Sequence, residues 1–209
     1  MAINRASFIF FILFSLVPLS FAQYNNNNNN YYYNNNYNDP TSYTPSSEYK
    51  PVVKEMKKYG PYGSILPQNY EFQLNEGEIF GEIHVRHDHM VDSVGFLVSK
   101  PDKSTYRVQF GGDGGELTRI VLEDGEYLTR ISGKYGYDTG RNYVAIGTLT
   151  IHTNLHPEGY GPFGLARDNA GNLFEFQSPE NVGGPIVGFF GRSNVLLESI
   201  GIIVRKESY

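Results

Sequence analysis

The sequence predicts an all-β protein, and three observations carry this prediction. From about Tyr59 onward, short runs rich in Val, Ile, Phe, Tyr and Leu alternate with turns rich in Gly, Asp, Asn and Pro. Some runs alternate between two faces, as in 116–122, where Leu117, Arg119 and Val121 are expected on one side. No run has the period of an amphipathic helix longer than a turn or two. The pattern favours a sandwich, barrel or prism of antiparallel strands.

Apolar or alternating composition between turn residues defines the expected strands. The following ranges meet this criterion: 78–88, 91–99, 105–111, 116–123, 127–136, 143–153, 173–178, 186–193 and 197–205. Together they span a length typical of one domain. We therefore assign residues 51–209 to a single folded domain.

The first 22 residues are expected to be a signal peptide. Arg5 precedes the apolar run "FIFFILFSLVPL", and Ser20 and Ala22 provide the small residues that signal peptidase accepts before a cut after Ala22. The run is too short for a comfortable membrane span. We therefore expect a secreted, extracellular protein with no membrane span.

Residues 23–50 are expected to form a disordered arm. The stretch "YNNNNNNYYYNNNYN", Tyr24 to Asn38, contains only Tyr and Asn and has no aliphatic residue to bury. One interpretation is a flexible spacer. The other is a self-associating arm, because Asn ladders and stacked tyrosines favour association between chains.

The composition restricts how the domain is stabilised and what it binds. The chain has no cysteine, so an exported domain must be held together by packing rather than disulfides. The formal net charge of −5 argues against nucleic acid as a partner.

Five sequence segments, in the same order along the chain, resemble the jacalin-related lectins, a family of β-prism proteins. They are "YGPYG", "EIFGEIHVRHDHMVDSVGFLV", "FGGDGGELTRIVLEDGEYLTRISGKYG", "YVAIGTLTIHTN" with "YGPFG", and "GFFGRSNVLLESIGIIV". The resemblance covers nearly all of 59–204. It implies a β-prism of three four-stranded antiparallel sheets around a shared core. The last segment is similar to the animal, zymogen-granule branch of the family.

The resemblance also implies a carbohydrate-binding site in loops at one end of the prism. The family's Gly-x-x-x-Asp motif falls on Asn194, Val195, Leu196, Leu197 and Glu198. In the family, backbone N–H groups of this turn and the carboxylate bind sugar hydroxyls, and charge-assisted hydrogen bonds suit that role. Here Asn replaces Gly and Glu replaces Asp, so the site is expected either to bind with shifted geometry or to have lost binding.

A neighbouring loop of the family's site falls on Tyr143 and Val144. The Tyr143 ring is expected to pack against a sugar face, because tyrosine combines apolar area with a polar tip. Alternatively, Glu198 is a solvated hairpin carboxylate and Tyr143 a rim aromatic, with no ligand for either.

Other motifs are interpreted as structural. "HVRHDH" places His87 and His89 on one face of a strand, but a structural zinc site needs more ligands, so we predict no metal and no cofactor. "GGDGG" at 111–115 lacks the lysine of a phosphate loop and is expected to be a turn near the ligand site. "KEMKK" at 54–58 is expected to be a solvated charge run in a linker.

Two functions remain open from the sequence. The serines and histidines are scattered, with no nucleophile-His-acid arrangement, so we predict that the protein is not an enzyme. The favoured function is a secreted lectin whose partners are glycans or glycoproteins. The alternative is a structural matrix protein in which the arm drives assembly and sugar binding is weak or lost.

Overall fold

The computed structural model describes residues 53–166, 170–180 and 183–208. The predicted signal peptide and the predicted arm lie outside these residues. The described part of the chain is built entirely from strands and their connections, which confirms the all-β prediction. No described segment forms a helix with the length and hydrophobicity that crossing a membrane requires.

The described residues contain twelve strands, and most predicted ranges coincide with one of them. Three were missed: the first strand, which contains the lysine-rich run, and two strands of only four residues. In chain order the strands are β1 (Val53–Gly63), β2 (Tyr70–Gln73), β3 (Ile79–His87), β4 (Val91–Ser99), β5 (Thr105–Gly111), β6 (Glu116–Val121), β7 (Leu128–Asp138), β8 (Tyr143–Thr153), β9 (Tyr160–Phe163), β10 (Ala170–Gln177), β11 (Ile186–Ser193) and β12 (Leu197–Ser208).

The strands form three antiparallel sheets of four strands each, which confirms the predicted prism. The first sheet has the order β1-β12-β11-β2, the second β5-β4-β3-β6, and the third β10-β7-β8-β9. Strand β1 pairs with the last strand, β12, so that Val53 lies opposite Ser208 and Gly63 opposite Ser199. The first sheet therefore joins both ends of the described chain.

The inner faces of the sheets share one apolar core. Phe96 of β4 and Phe189 of β11 stack with ring centroids 4.6 Å apart, so the core joins the second sheet to the first. Phe80 lies against both rings, 4.6 Å from Phe96 and 5.9 Å from Phe189. The third sheet contributes side chains that are fully buried, namely Leu128, Ile131, Ile146, Leu149 and Ile151. Because the described chain has no cysteine, this packing takes the place of covalent cross-links.

The alternation predicted for β6 is confirmed. Leu117, Arg119 and Val121 are exposed, whereas Thr118 and Ile120 are partly buried. Strands β4 and β11, by contrast, are buried along nearly their whole length, and each is a central strand of its sheet. These two strands supply the stacked phenylalanines.

One end of the prism is closed by two similar glutamate turns. In one, the Glu78 carboxylate accepts hydrogen bonds from the Asn75 backbone N–H at 2.8 Å and the Tyr106 hydroxyl at 2.9 Å. In the other, Glu126 accepts the Glu123 backbone N–H at 2.8 Å, and it also accepts a bond from a tyrosine hydroxyl. Both carboxylates are buried and partnered, so each turn is held by its own side chain.

The linker interpretation of "KEMKK" is wrong, because residues 54–58 lie within β1 and pair with β12. The Lys58 ammonium donates to the Glu71 carboxylate at 2.6 Å and lies 5.3 Å from the centre of the Phe190 ring. Lys57 likewise lies over the Tyr59 ring. The lysines of residues 54–58 are compatible with a strand, because an edge strand tolerates lysines on its solvent side.

Replacing Phe189 by Ala should lower the free energy of unfolding by about 3–5 kcal/mol, because it empties a fully buried site between two sheets. The matched control is Phe174→Ala, whose ring is 56% exposed and should cost less than about 1 kcal/mol. Urea unfolding of both variants, followed by near-UV circular dichroism, measures the difference. Equal losses would show that the two sheets are not joined through the Phe189 ring.

Candidate functional site

The end of the prism opposite the glutamate turns carries the predicted binding residues. We call it the hairpin end, and it comprises the loop 64–69, the glycine loop 111–115, the turn 138–143 and the β11–β12 turn 192–197. The β11–β12 turn and the loop 64–69 are joined directly by hydrogen bonds. The Ser64 N–H donates to the Glu198 carbonyl at 2.9 Å, and the Asn69 side chain pairs with both backbone groups of Ser193. Segments far apart in sequence therefore form one surface.

The tip of the β11–β12 turn is exposed only in part. Asn194 is exposed and Val195 is 53% exposed, whereas Leu196 is buried against Met90 and Ala145. The turn closes with a hydrogen bond of 2.9 Å from the Asn194 N–H to the Leu196 carbonyl. Leu196 can therefore meet a ligand through its backbone only.

Asn194 occupies the position of the family's glycine with an ordinary backbone conformation. The non-glycine residues with positive φ in the described chain are Lys103, Asn142 and Ala166, and Asn194 is not one of them. A left-handed backbone is therefore not required at this position. The replacement of the family's glycine by Asn194 adds a side chain to the rim without backbone strain.

Glu198 is neither solvated nor open toward the rim. The residue is only 2% exposed, and its Oε2 accepts a hydrogen bond from the Arg192 Nε at 2.7 Å. Arg192 also donates through Nη1 to the Pro67 carbonyl at 3.0 Å. The carboxylate thus forms an internal ion pair that ties β12 to β11 and to the loop 64–69.

Tyr143 lies beside this ion pair as a half-buried wall rather than a free rim aromatic. Its ring packs with Met90, Ala145 and Leu196. Its hydroxyl is buried, and no described residue forms a hydrogen bond of normal length and angle with it. Burial raises the pKa of Tyr143, and the nearby Glu198 carboxylate raises it further, against the opposing effect of Arg141. The hydroxyl is therefore enclosed among these side chains rather than presented at the surface.

Val144 follows on β8, where it is partly buried and pairs with Tyr137 of β7. The structure thus brings together all the predicted site residues at the hairpin end. It leaves Asn194 and Val195 most accessible, Tyr143 and Val144 less so, and Leu196 and Glu198 buried.

The turn 138–143 contains a second carboxylate that sequence reasoning missed. Asp138 is 2% exposed, and its Oδ1 accepts the backbone N–H groups of Gly140 and Arg141 at 2.8 and 3.1 Å. The Arg141 side chain donates to the other oxygen at 3.1 Å. Asp followed two residues later by Gly is a turn signal that could have located it. This carboxylate is satisfied locally and shapes the turn before Tyr143.

The glycine loop 111–115 lies against the β11–β12 turn. A Cβ on Gly112 would lie 2.5 Å from the Val195 carbonyl oxygen, and Gly115 approaches the Asp92 carboxylate closely. Asp92 is 7% exposed, and its burial raises the pKa of the carboxyl group despite the nearby Arg141. The run of glycines is therefore needed for close packing between loops.

The histidine run does not form a metal site. Strand β3 ends at His87, so His89 lies in the following turn and the two do not share a strand face as predicted. His84 contacts Glu82 at 2.6 Å and His87 contacts Thr118 at 2.9 Å. Within the described residues, no group of three or more His, Cys, Asp or Glu side chains is arranged to hold a metal.

Three four-stranded sheets with polar turns gathered at one end define a β-prism domain of the lectin type. The chain belongs to the jacalin-like lectin domain family, whose pattern matches residues 59–203. Jacalin-related lectin 19 of Arabidopsis thaliana is 33% identical over 144 residues, which are 68% of this chain and 76% of that protein.

Solved structures of lectins are similar to this chain, and two of them illustrate the likeness. A mannose-binding jacalin-related lectin from Ananas comosus is 28% identical with a TM-score of 0.57, covering 73% of this chain and 99% of that one. The Calsepa lectin in complex with a biantennary N-glycan is 26% identical with a TM-score of 0.60, covering 75% and 99%. Membership of this lectin family confirms the prediction of a non-enzymatic protein. The likeness to the animal branch stays a prediction.

Gly112→Ala should displace the β11–β12 turn, because the new methyl group would meet the Val195 carbonyl. We expect a loss of about 1–3 kcal/mol in stability and shifted amide signals at residues 194–196. The control is Gly81→Ala, whose closest contact would be the Ser99 hydroxyl at 3.1 Å. Two-dimensional NMR spectra and thermal unfolding of both variants test this, and unchanged signals in Gly112→Ala would contradict the packing described.

Proposed function

We propose that this protein is a secreted lectin that binds glycans at its hairpin end. The observation that supports this most is that the family match over 59–203 includes every segment of that end. The similar lectin from Ananas comosus is described as mannose-binding, and the Calsepa lectin was solved with a biantennary N-glycan. Mannose-containing N-glycans are therefore the first ligands to test.

The groups available to a sugar are mostly uncharged. Asn194 and Val195 form the exposed tip, and Tyr143 and Val144 form an adjacent wall. Backbone groups and the Asn194 amide provide hydrogen bonds to hydroxyls, while Val195 and the edge of Tyr143 provide apolar contact. A shallow surface of this kind gives weak binding per site, which gains from presenting several sites together.

Secretion and the arm complete the proposal. The pattern of residues 1–22 supports export, and the Tyr/Asn composition of residues 23–50 supports self-association of the arm. Association through the arm would present several hairpin ends at once. In the alternative role, as a matrix protein, the arm would serve assembly and the prism would contribute little to binding.

Covering the hairpin end should abolish glycan binding. Because the chain has no cysteine, Val195→Cys introduces a single thiol, which a maleimide-polyethylene glycol reagent modifies selectively. We expect retention on an N-glycan array to fall at least about tenfold after modification, since the polymer excludes ligands from the turn.

The matched control for this experiment is Leu155→Cys. Leu155 is 48% exposed and follows β8, at the end of the prism away from the β11–β12 turn. Modification there should leave binding unchanged. Equal binding before and after modification at position 195, in a protein that does bind the array, would exclude the hairpin end as the glycan site.

Removing residues 23–50 separates the two roles. The shortened protein should keep its glycan affinity on the array and lose self-association in analytical ultracentrifugation. Loss of assembly without any glycan binding in the full chain would favour the matrix role instead.

A further inference from the structure

The Arg192–Glu198 ion pair occupies the position where a ligand-binding carboxylate is expected. The Glu198 side chain is 3% exposed and the Arg192 side chain 27% exposed, so the carboxylate is enclosed while its arginine partner reaches the surface. The Nε contact of 2.7 Å is short, as charge-assisted hydrogen bonds are. A sugar hydroxyl that donates to Oε2 must displace or share that bond, and the burial of the side chain restricts approach to the rest of the carboxylate.

The second arginine contact keeps the pair in place. Arg192 Nη1 donates to the Pro67 carbonyl at 3.0 Å, which fixes the guanidinium against the loop 64–69. That loop is itself held by the Asn69–Ser193 hydrogen bonds. Releasing Glu198 therefore requires either movement of a well-bonded arginine or a shorter acidic side chain.

We propose that Arg192 is a specificity-determining residue that withholds the Glu198 carboxylate from the glycan site. The extra methylene of Glu relative to Asp lets the carboxylate reach the guanidinium. The rim then has an ion pair without net charge in place of a free carboxylate that could accept hydrogen bonds from a sugar. The site then selects glycans through uncharged groups and apolar contact. It disfavours ligands whose recognition depends on a carboxylate accepting two adjacent hydroxyls.

This inference rests on the proposed glycan binding, and it explains two features together. The carboxylate is buried although it lies beside an exposed turn tip, and its Oε2 bond goes to a side chain of the same hairpin. Exposed apolar groups surround the site, since Ile65 is 100% exposed and Leu66 51% exposed in the loop bonded to the turn. Apolar side chains beside the turn tip are the expected counterpart of a withheld carboxylate.

The test compares full-length variants on an array carrying mannose and biantennary N-glycans. Glu198→Asp shortens the side chain and should break the Arg192 contact, and Arg192→Gln removes the partner. Each should raise retention of mannose-type ligands by roughly tenfold, since a charged acceptor forms the stronger hydrogen bonds. The control is Arg141→Gln, which removes the same charge at the same end while Asp138 keeps its two backbone donors.

A spectroscopic measurement makes the test independent of folding losses. The Nε–H signal of Arg192 should be protected from exchange in the wild type and lose that protection in Glu198→Asp. Thermal unfolding identifies any variant that fails to fold, and if Arg192→Gln does, Glu198→Asp decides alone.

The outcomes separate this inference from the proposed function. Higher retention of Glu198→Asp on the array, with the retention of Arg141→Gln unchanged, supports the role of Arg192. This holds even if the wild type shows no retention. Binding by the wild type with equal or weaker binding by Glu198→Asp overturns it and leaves the lectin function intact. If neither the wild type nor any folded variant is retained on the array, both the role of Arg192 and the proposed lectin function are overturned.

Discussion

The shared core of the three sheets is the constraint on which the rest of the structure depends. Each sheet has one apolar inner face, and the three inner faces bury one another in a single shared core. The stack of Phe96 on Phe189 joins the second sheet to the first, and the Ile and Leu side chains of β7 and β8 complete the core. The orientation of the sheets fixes where their turns emerge, and so brings the four segments of the hairpin end together.

The sequence allowed much of this to be predicted, because strands that alternate or are wholly apolar are visible without tertiary context. β4, β5, β8 and β11 have the expected bounds for that reason. β9 was missed because Pro162 interrupts it and its pairing with β8 is brief. β1 was missed because its lysines resemble a solvated run, and only the pairing with β12 makes it a strand.

The site was predictable in position but not in electrostatic state. The family resemblance, rather than a local turn signal, predicted that residues 194–198 and Tyr143 lie at one end of the prism, and the structure has them there. Whether Glu198 faces solvent depends on Arg192 reaching it from the opposite strand and on Pro67, which is 125 positions away from that arginine. Contacts of this range follow from register and loop packing, which local patterns do not encode.

The pairing of β1 with β12 has a consequence for synthesis. Among the described residues, β1 has β12 as its ladder partner, so it stays an open edge until residues 197–208 have been synthesised. During that interval the nascent chain carries an unpaired β-edge, which is a template for wrong pairing with other chains. Lysines on such an edge provide mutual repulsion, which gives the charged segment a protective role before the native partner exists.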